Sequence, residues 1–127
     1  MPNMITVSAV VGLLGVALGA FGAHGLESQL QATPEQLEWW RTATLYHLLH
    51  VVPLLAIGVL QEQRPGGNRA ALLFLLGILL FSGSLYAMGL GAPRTLGAVT
   101  PFGGLALIAG WALLAFYGAR GVRAGGT

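Results

Sequence analysis

The side chains able to do chemistry in this chain are few, and most are histidine, tyrosine, serine or threonine. His24, Tyr46, His47, His50, Ser82, Ser84, Tyr86 and Thr100 stand out because each falls in or beside a long apolar run. Three imidazoles, His24, His47 and His50, form a candidate metal set that zinc or copper would accept. Imidazoles can also ligate haem, bind the carbonyl of a quinone or relay protons. The structural alternative is that tyrosine and histidine hydrogen-bond one another and the serines, fixing helix register. Catalysis finds less support. No Asp or Glu lies deep in an apolar run, so a Ser-His-acid triad lacks its acid, and Ser82-Gly83-Ser84 lacks the glycines of a nucleophile elbow. Gly103-Gly104 has no strand before it and no lysine after it, which excludes a phosphate loop. Cysteine is absent, removing disulfides, thiol nucleophiles and thiolate ligands. The chain therefore reads as non-enzymatic, with no cofactor required by its sequence.

What must position these groups is set by composition. Only 8% of the 127 residues are charged and 55% are hydrophobic, where a soluble domain needs roughly a quarter charged residues to cover its surface. The charges are also segregated, leaving uncharged stretches at about residues 4–23, 42–61, 70–93 and 98–119. Each is near the ~20 helical residues that cross a bilayer core. A β-barrel would need about eight short segments of alternating polarity, and runs such as Leu72–Leu80 do not alternate. The expected fold is an all-α membrane protein of four transmembrane helices in one bundle, with a short interfacial helix before span two. The net charge of +2 comes without a basic stripe, so no nucleic-acid partner is expected.

Four spans put both termini and the loop 62–69 on one side. That side holds Arg64, Arg69, Arg120 and Arg123, against Arg41 and Arg94 on the other. The excess of basic residues places both termini in the cytoplasm of a cell with this protein in its inner (plasma) membrane. On this topology the polar candidates all fall in the outer half, converging from four helices on one buried cluster. Along span two, Trp39, Ala43, Tyr46, His50 and Pro53 share a stripe, with His47 close enough in angle to face the same cavity as His50. Pro53 frees the carbonyl of Leu49 and favours a bend there.

Local signals place the helix ends. Thr33-Pro34-Glu35-Gln36 reads as a capping box with proline at the first helical position, opening a helix that runs through Trp39 and Trp40 into span two. Thr100-Pro101 repeats the device before span four, and Thr100–Gly104 could hold a short unwound turn. The tail from Gly118 onward reads as frayed. In span one, Gly12, Gly15, Gly19 and Gly22 lie on one face. Such stripes let helices approach closely, either within the bundle or between copies of the chain.

The segments GAFGAHGL (Gly19–Leu26), WWRTATLYHLLH (Trp39–His50), FSGSLY (Phe81–Tyr86), TPFGG (Thr100–Gly104) and GW (Gly110-Trp111) together resemble the small bacterial membrane proteins of domain-of-unknown-function family 423, related to eukaryotic transmembrane protein 256. The resemblance covers nearly the whole chain. It implies a four-helix membrane protein and no established activity. Two functions fit the residues: an accessory or scaffold element, with the lipid bilayer and a homo-oligomer or larger membrane complex as partners, or an outer-leaflet site for a metal, haem or lipid-soluble molecule built from the His/Tyr cluster.

Overall fold

The computed structural model describes residues 3–60 and 67–125, with side chains to residue 118. Among these there is no strand. Helix α1 (Met4–His24) is capped by Asn3, whose Oδ1 accepts from the backbone N–H groups of Ile5 and Thr6. After it come the short α2 (Leu26–Leu30) and then α3 (Pro34–Leu49) and α4 (Val51–Leu60), which form one 27-residue span, Pro34–Leu60. α5 (Gly67–Gly77), a π-helical turn (Ile78–Ser82) and α6 (Gly83–Gly89) make the third span. A 3₁₀ turn (Arg94–Ala98) leads into α7 (Thr100–Gly125). All four spans are long and apolar enough to cross a bilayer.

The capping box at Thr33 is present with both of its hydrogen bonds, and Pro34 follows it at the helix start. Span two therefore begins several residues before the uncharged stretch does, and carries Glu35, Glu38 and Arg41 within the same helix. The interfacial turns and the spanning turns are one element. A separate short helix, α2, precedes them, its Leu26 fully buried and its end closed by Gln31 in the left-handed region (φ 53°).

Two other expectations change. Thr100 does not cap span four: it is the first residue of α7, and its hydroxyl reaches across to span three. The helix then continues without an unwound turn through Gly103-Gly104 and on to Gly125, so the stretch from Gly118 to Gly125 is helical and not frayed. The loop 62–69 lies largely outside the described residues.

Span two is interrupted at His50 (φ −87°, ψ −2°), one turn before Pro53. Proline cannot donate to the carbonyl four residues back, so the ladder loosens there. Span three ends in a Schellman motif: Ala92 N–H bonds Ala87 O, Gly91 N–H bonds Met88 O, and Gly91 takes the positive φ (105°) this turn requires.

The spans pack in sequence, one on two, two on three and three on four, with no extended contact between one and four among the described residues. The four glycines of α1 face span two and read off its register. A Cβ added at Gly12, Gly15, Gly19 or Gly22 would meet Val51, Leu48, Thr44 or Trp40 respectively, a regular antiparallel sequence. Gly58 continues it against the backbone of Met4 and Ile5. The glycine stripe is thus covered within the chain.

Spans three and four meet equally closely through glycines outside that stripe. A Cβ at Gly77 would collide with the Leu107 side chain, at Gly110 with the Phe74 ring, and at Gly103 with the backbone of Phe81. The last contact lies inside the π-helical turn, where the extra residue swells span three against span four. Around Phe74, at the α4/α5 end of the bundle, Met4, Leu54, Ile57, Ala70, Ala71, Ile78 and Leu107 form a wholly apolar core.

Gly103→Ala drives a methyl into backbone, which cannot rotate away. We expect it to destabilise the bundle by about 1–3 kcal/mol. Gly118→Ala, whose methyl would meet nothing within 4 Å, should leave stability unchanged or raise it by up to about 1 kcal/mol. Thermal unfolding in one detergent compares them.

Candidate functional site

His47 lies at the midpoint of the span Pro34–Leu60 and opposite Gly15 of α1, whose missing side chain makes room for the ring. Its Nε2 is 2.8 Å from the carbonyl oxygen of Val11. A carbonyl can only accept, so Nε2 carries the proton and Nδ1 accepts from the Tyr86 hydroxyl at 3.0 Å. Thr44 Oγ1 stands 3.4 Å from the same phenol oxygen. One imidazole thereby ties spans one, two and three.

Two turns toward the α3 start, Trp40 makes a parallel connection. Its Nε1–H donates to the carbonyl of Leu18 at 2.7 Å, over the space that Gly22 leaves open. The indole stands edge-on to Phe21 and Tyr86, with ring centroids 5.5 and 4.7 Å away.

His50 points elsewhere. Its Nδ1–H donates to the Tyr46 carbonyl of its own helix at 2.7 Å, and Nε2 accepts from Trp111 Nε1–H at 3.0 Å. The Phe74 ring packs against both partners, 5.8 Å from His50 and 5.3 Å from Trp111. His50 thus holds the tautomer opposite to that of His47 and ties span two to span four. The carbonyl it uses is that of Tyr46, not the one Pro53 frees at Leu49.

The hydroxyls complete the set. Ser82 Oγ–H donates to the Ala43 carbonyl at 2.7 Å, tying span three to span two. Ser84 Oγ lies 2.6 Å from Thr100 Oγ1 and 3.0 Å from Phe81 O, tying span three to span four. Among the described residues, no buried side-chain nitrogen or oxygen lacks a partner.

These positions divide the expected single cluster. His47, Tyr86 and Thr44 belong to one connection, Ser82 to a second, Ser84 and Thr100 to a third, His50 to a fourth. The two histidines do not share a cavity: one faces α1 and Tyr86, the other Phe74 and Trp111. Tyr46, expected on the inward stripe with Ala43, His50 and Pro53, is 38% exposed, its ring against Phe81 at 4.5 Å. His24, at the end of α1, is exposed and joins none of these groups. Among the described residues no three His, Asp or Glu side chains gather as a metal site would require, so the His24/His47/His50 set is not assembled.

The functional residues missing from the sequence reading are the two indoles and the second set of glycines. Trp40 and Trp111 entered only as parts of longer motifs, yet each indole N–H donates a hydrogen bond to another span. Gly110 beside Trp111, seven residues after Gly103, was the available signal: both lie on one face of span four.

Four lipid-exposed helices joined internally by hydrogen bonds and glycine contacts define a multi-pass α-helical membrane protein. More narrowly, this chain belongs to the family described as "Protein of unknown function (DUF423)", whose model matches residues 18–104. Among its relatives, a UPF0382 membrane protein of Staphylococcus saprophyticus is 42% identical over 90% of this chain and 94% of its own length. The UPF0382 membrane protein YwdK of Bacillus subtilis is 39% identical over 90% and 94%. The UPF0382 inner membrane protein YgdD of Escherichia coli is 37% identical over 87% and 85%. No solved structure matches the chain.

The His50–Trp111 bond is measurable by a double-mutant cycle. Trp111→Phe keeps most of the packing and removes the donor; His50→Leu removes the acceptor. We expect a coupling energy of about 0.6–1.7 kcal/mol between them, the range of cross-helix hydrogen bonds in lipid. Additive effects would mean that the bond contributes nothing.

Proposed function

We propose that this chain is a non-enzymatic inner-membrane scaffold or accessory subunit of a larger membrane assembly, with both termini in the cytoplasm. One observation carries the reading: both nitrogens of each buried imidazole, His47 and His50, are taken up by partners within the chain. A ligand or metal on either ring would have to displace one of these bonds, and all but the His50–Tyr46 bond join two spans. The polar groups that would otherwise recommend a reaction centre therefore serve to hold the spans together. What the chain offers outward is apolar: Leu13, Val16, Val52, Leu72, Leu79 and Ile108 are among its most exposed side chains. Surfaces of this kind suit lipid and the helices of other membrane proteins.

Three measurements test this. His47→Ala removes a two-ended connection and leaves a cavity, so a loss of about 1–3 kcal/mol and a lower Tm are expected; an unchanged Tm would instead favour a binding role for the ring. Native mass spectrometry in mild detergent should find the 13.2 kDa chain in defined complexes with other membrane proteins or further copies, whereas a lone monomer with no companion contradicts the scaffold reading. A reporter active only in the cytoplasm, fused after Thr127, should be active; silence there, with activity when it is fused into the loop containing Gly91, would reverse the orientation.

A further inference from the structure

At the end of the bundle that carries α2, a cleft of about 230 Å³ opens between the first turns of α3 and the loop after α6. Glu35, Gln36, Trp39, Met88, Gly91 and Arg94 line it. Arg94 Nη2 pairs with Glu35 Oε2 across the cleft, and its guanidinium carbon lies 5.6 Å from the centroid of the Trp39 ring. The pair is well exposed, 74% at Arg94 and 47% at Glu35. Ion pairs this exposed contribute only about 0–1 kcal/mol, so a ligand offering each charge a better partner can open this one.

Other groups there are also uncommitted. Among the described residues, only Nη2 of the Arg94 fork makes a hydrogen bond. Gln36 accepts the Thr33 N–H through Oε1, while its Nε2 makes no hydrogen bond among the described residues and points toward Gly91, where a side chain would narrow the cleft. The level is that of the lipid headgroups, as the start of a spanning helix and its indole imply.

We propose that this cleft binds a zwitterionic phosphate–ammonium headgroup of the phosphoethanolamine type, with Arg94 and Gln36 donating to the phosphate and Glu35 accepting from the ammonium. An anion alone would satisfy Arg94 and be repelled by Glu35, and a cation alone would do the converse. A ligand carrying both charges a few ångströms apart pairs each without leaving the other uncompensated. Glu35 gains more from an ammonium with three N–H donors than from a trimethylated one, which has none. The volume lies below the roughly 300 Å³ at which pockets for drug-sized ligands begin, which suits a headgroup whose acyl chains stay outside, along exposed Leu90. This inference stands apart from the scaffold reading and survives its failure.

The test uses the full chain, delipidated in detergent, offered phosphatidylethanolamine, phosphatidylcholine and phosphatidylglycerol with identical acyl chains. Bound lipid is counted by native mass spectrometry. Phosphatidylethanolamine should be retained about fivefold over each of the others, the scale of one exposed charge-assisted contact. Arg94→Ala should abolish that preference, Arg94→Lys should keep part of it, and Glu35→Gln should turn it toward phosphatidylglycerol. Both positions are exposed, so an unchanged Tm verifies that the variants are folded. Millimolar free phosphoethanolamine distinguishes the source: displacement of the lipid assigns the cleft to the soluble zwitterion, and failure to displace assigns it to the membrane lipid. Equal retention of all three lipids by the wild type, or a preference that survives in both Arg94→Ala and Glu35→Gln, overturns the proposal.

Discussion

In a bilayer a leucine gains almost nothing by moving from lipid to a neighbouring helix, so apolar burial cannot hold these four spans together. Close backbone approach and hydrogen bonds that have no water to compete with them must do so. The rest of the structure follows from that constraint. Glycines line both tight interfaces, α1 against span two and span three against span four. The polar side chains bridge helices: Trp40 and His47 reach carbonyls of α1, Ser82 reaches span two, Ser84 meets Thr100, and Trp111 meets His50. An arrangement of this kind fixes register as well as affinity, because a slip of one residue would break every bridge at once and leave each donor unpaired in hydrocarbon.

The two irregularities of the bundle sit where these bridges concentrate. Span two breaks at His50, between the ring's bond to Tyr46 O and the ladder gap at Pro53. Span three loosens into a π-helical turn beside Ala43 on one side and Gly103 on the other. Such turns are frequent at functional sites; this one lets Ser82 face span two and Ser84 face span four, two residues apart in sequence. The buried polar groups form a set of separate ties distributed along the bundle.

Much of the fold was legible because the bilayer imposes it: uncharged stretches of the right length mark spans, a capping box marks a helix start, and a glycine stripe marks a close helix contact, which here lies within the chain. The candidate site was only half legible. Residue types marked His47, Tyr86, Ser82, Ser84 and Thr100 as groups needing partners, but several of those partners are backbone carbonyls, of Val11, Ala43 and Phe81, which every residue possesses and no sequence advertises. His47 and His50 stand about 60° apart around an ideal helix, and that separation is enough for one ring to meet Val11 and Tyr86 and the other Trp111. Trp111 was passed over because nothing in the sequence shows that His50 stands opposite its indole N–H.

The central claim, that both buried imidazoles are saturated by partners within the chain, makes a direct statement about protons. His47 carries its proton on Nε2 and His50 on Nδ1. Nitrogen-15 NMR of histidine-labelled protein in bilayers, with each signal assigned by substitution, reads this without perturbing the fold. The account predicts two neutral rings of opposite tautomer, neither in exchange with the other form. Two rings of the same tautomer, or a His47 or His50 whose nitrogen signals shift on adding a divalent metal, would contradict it.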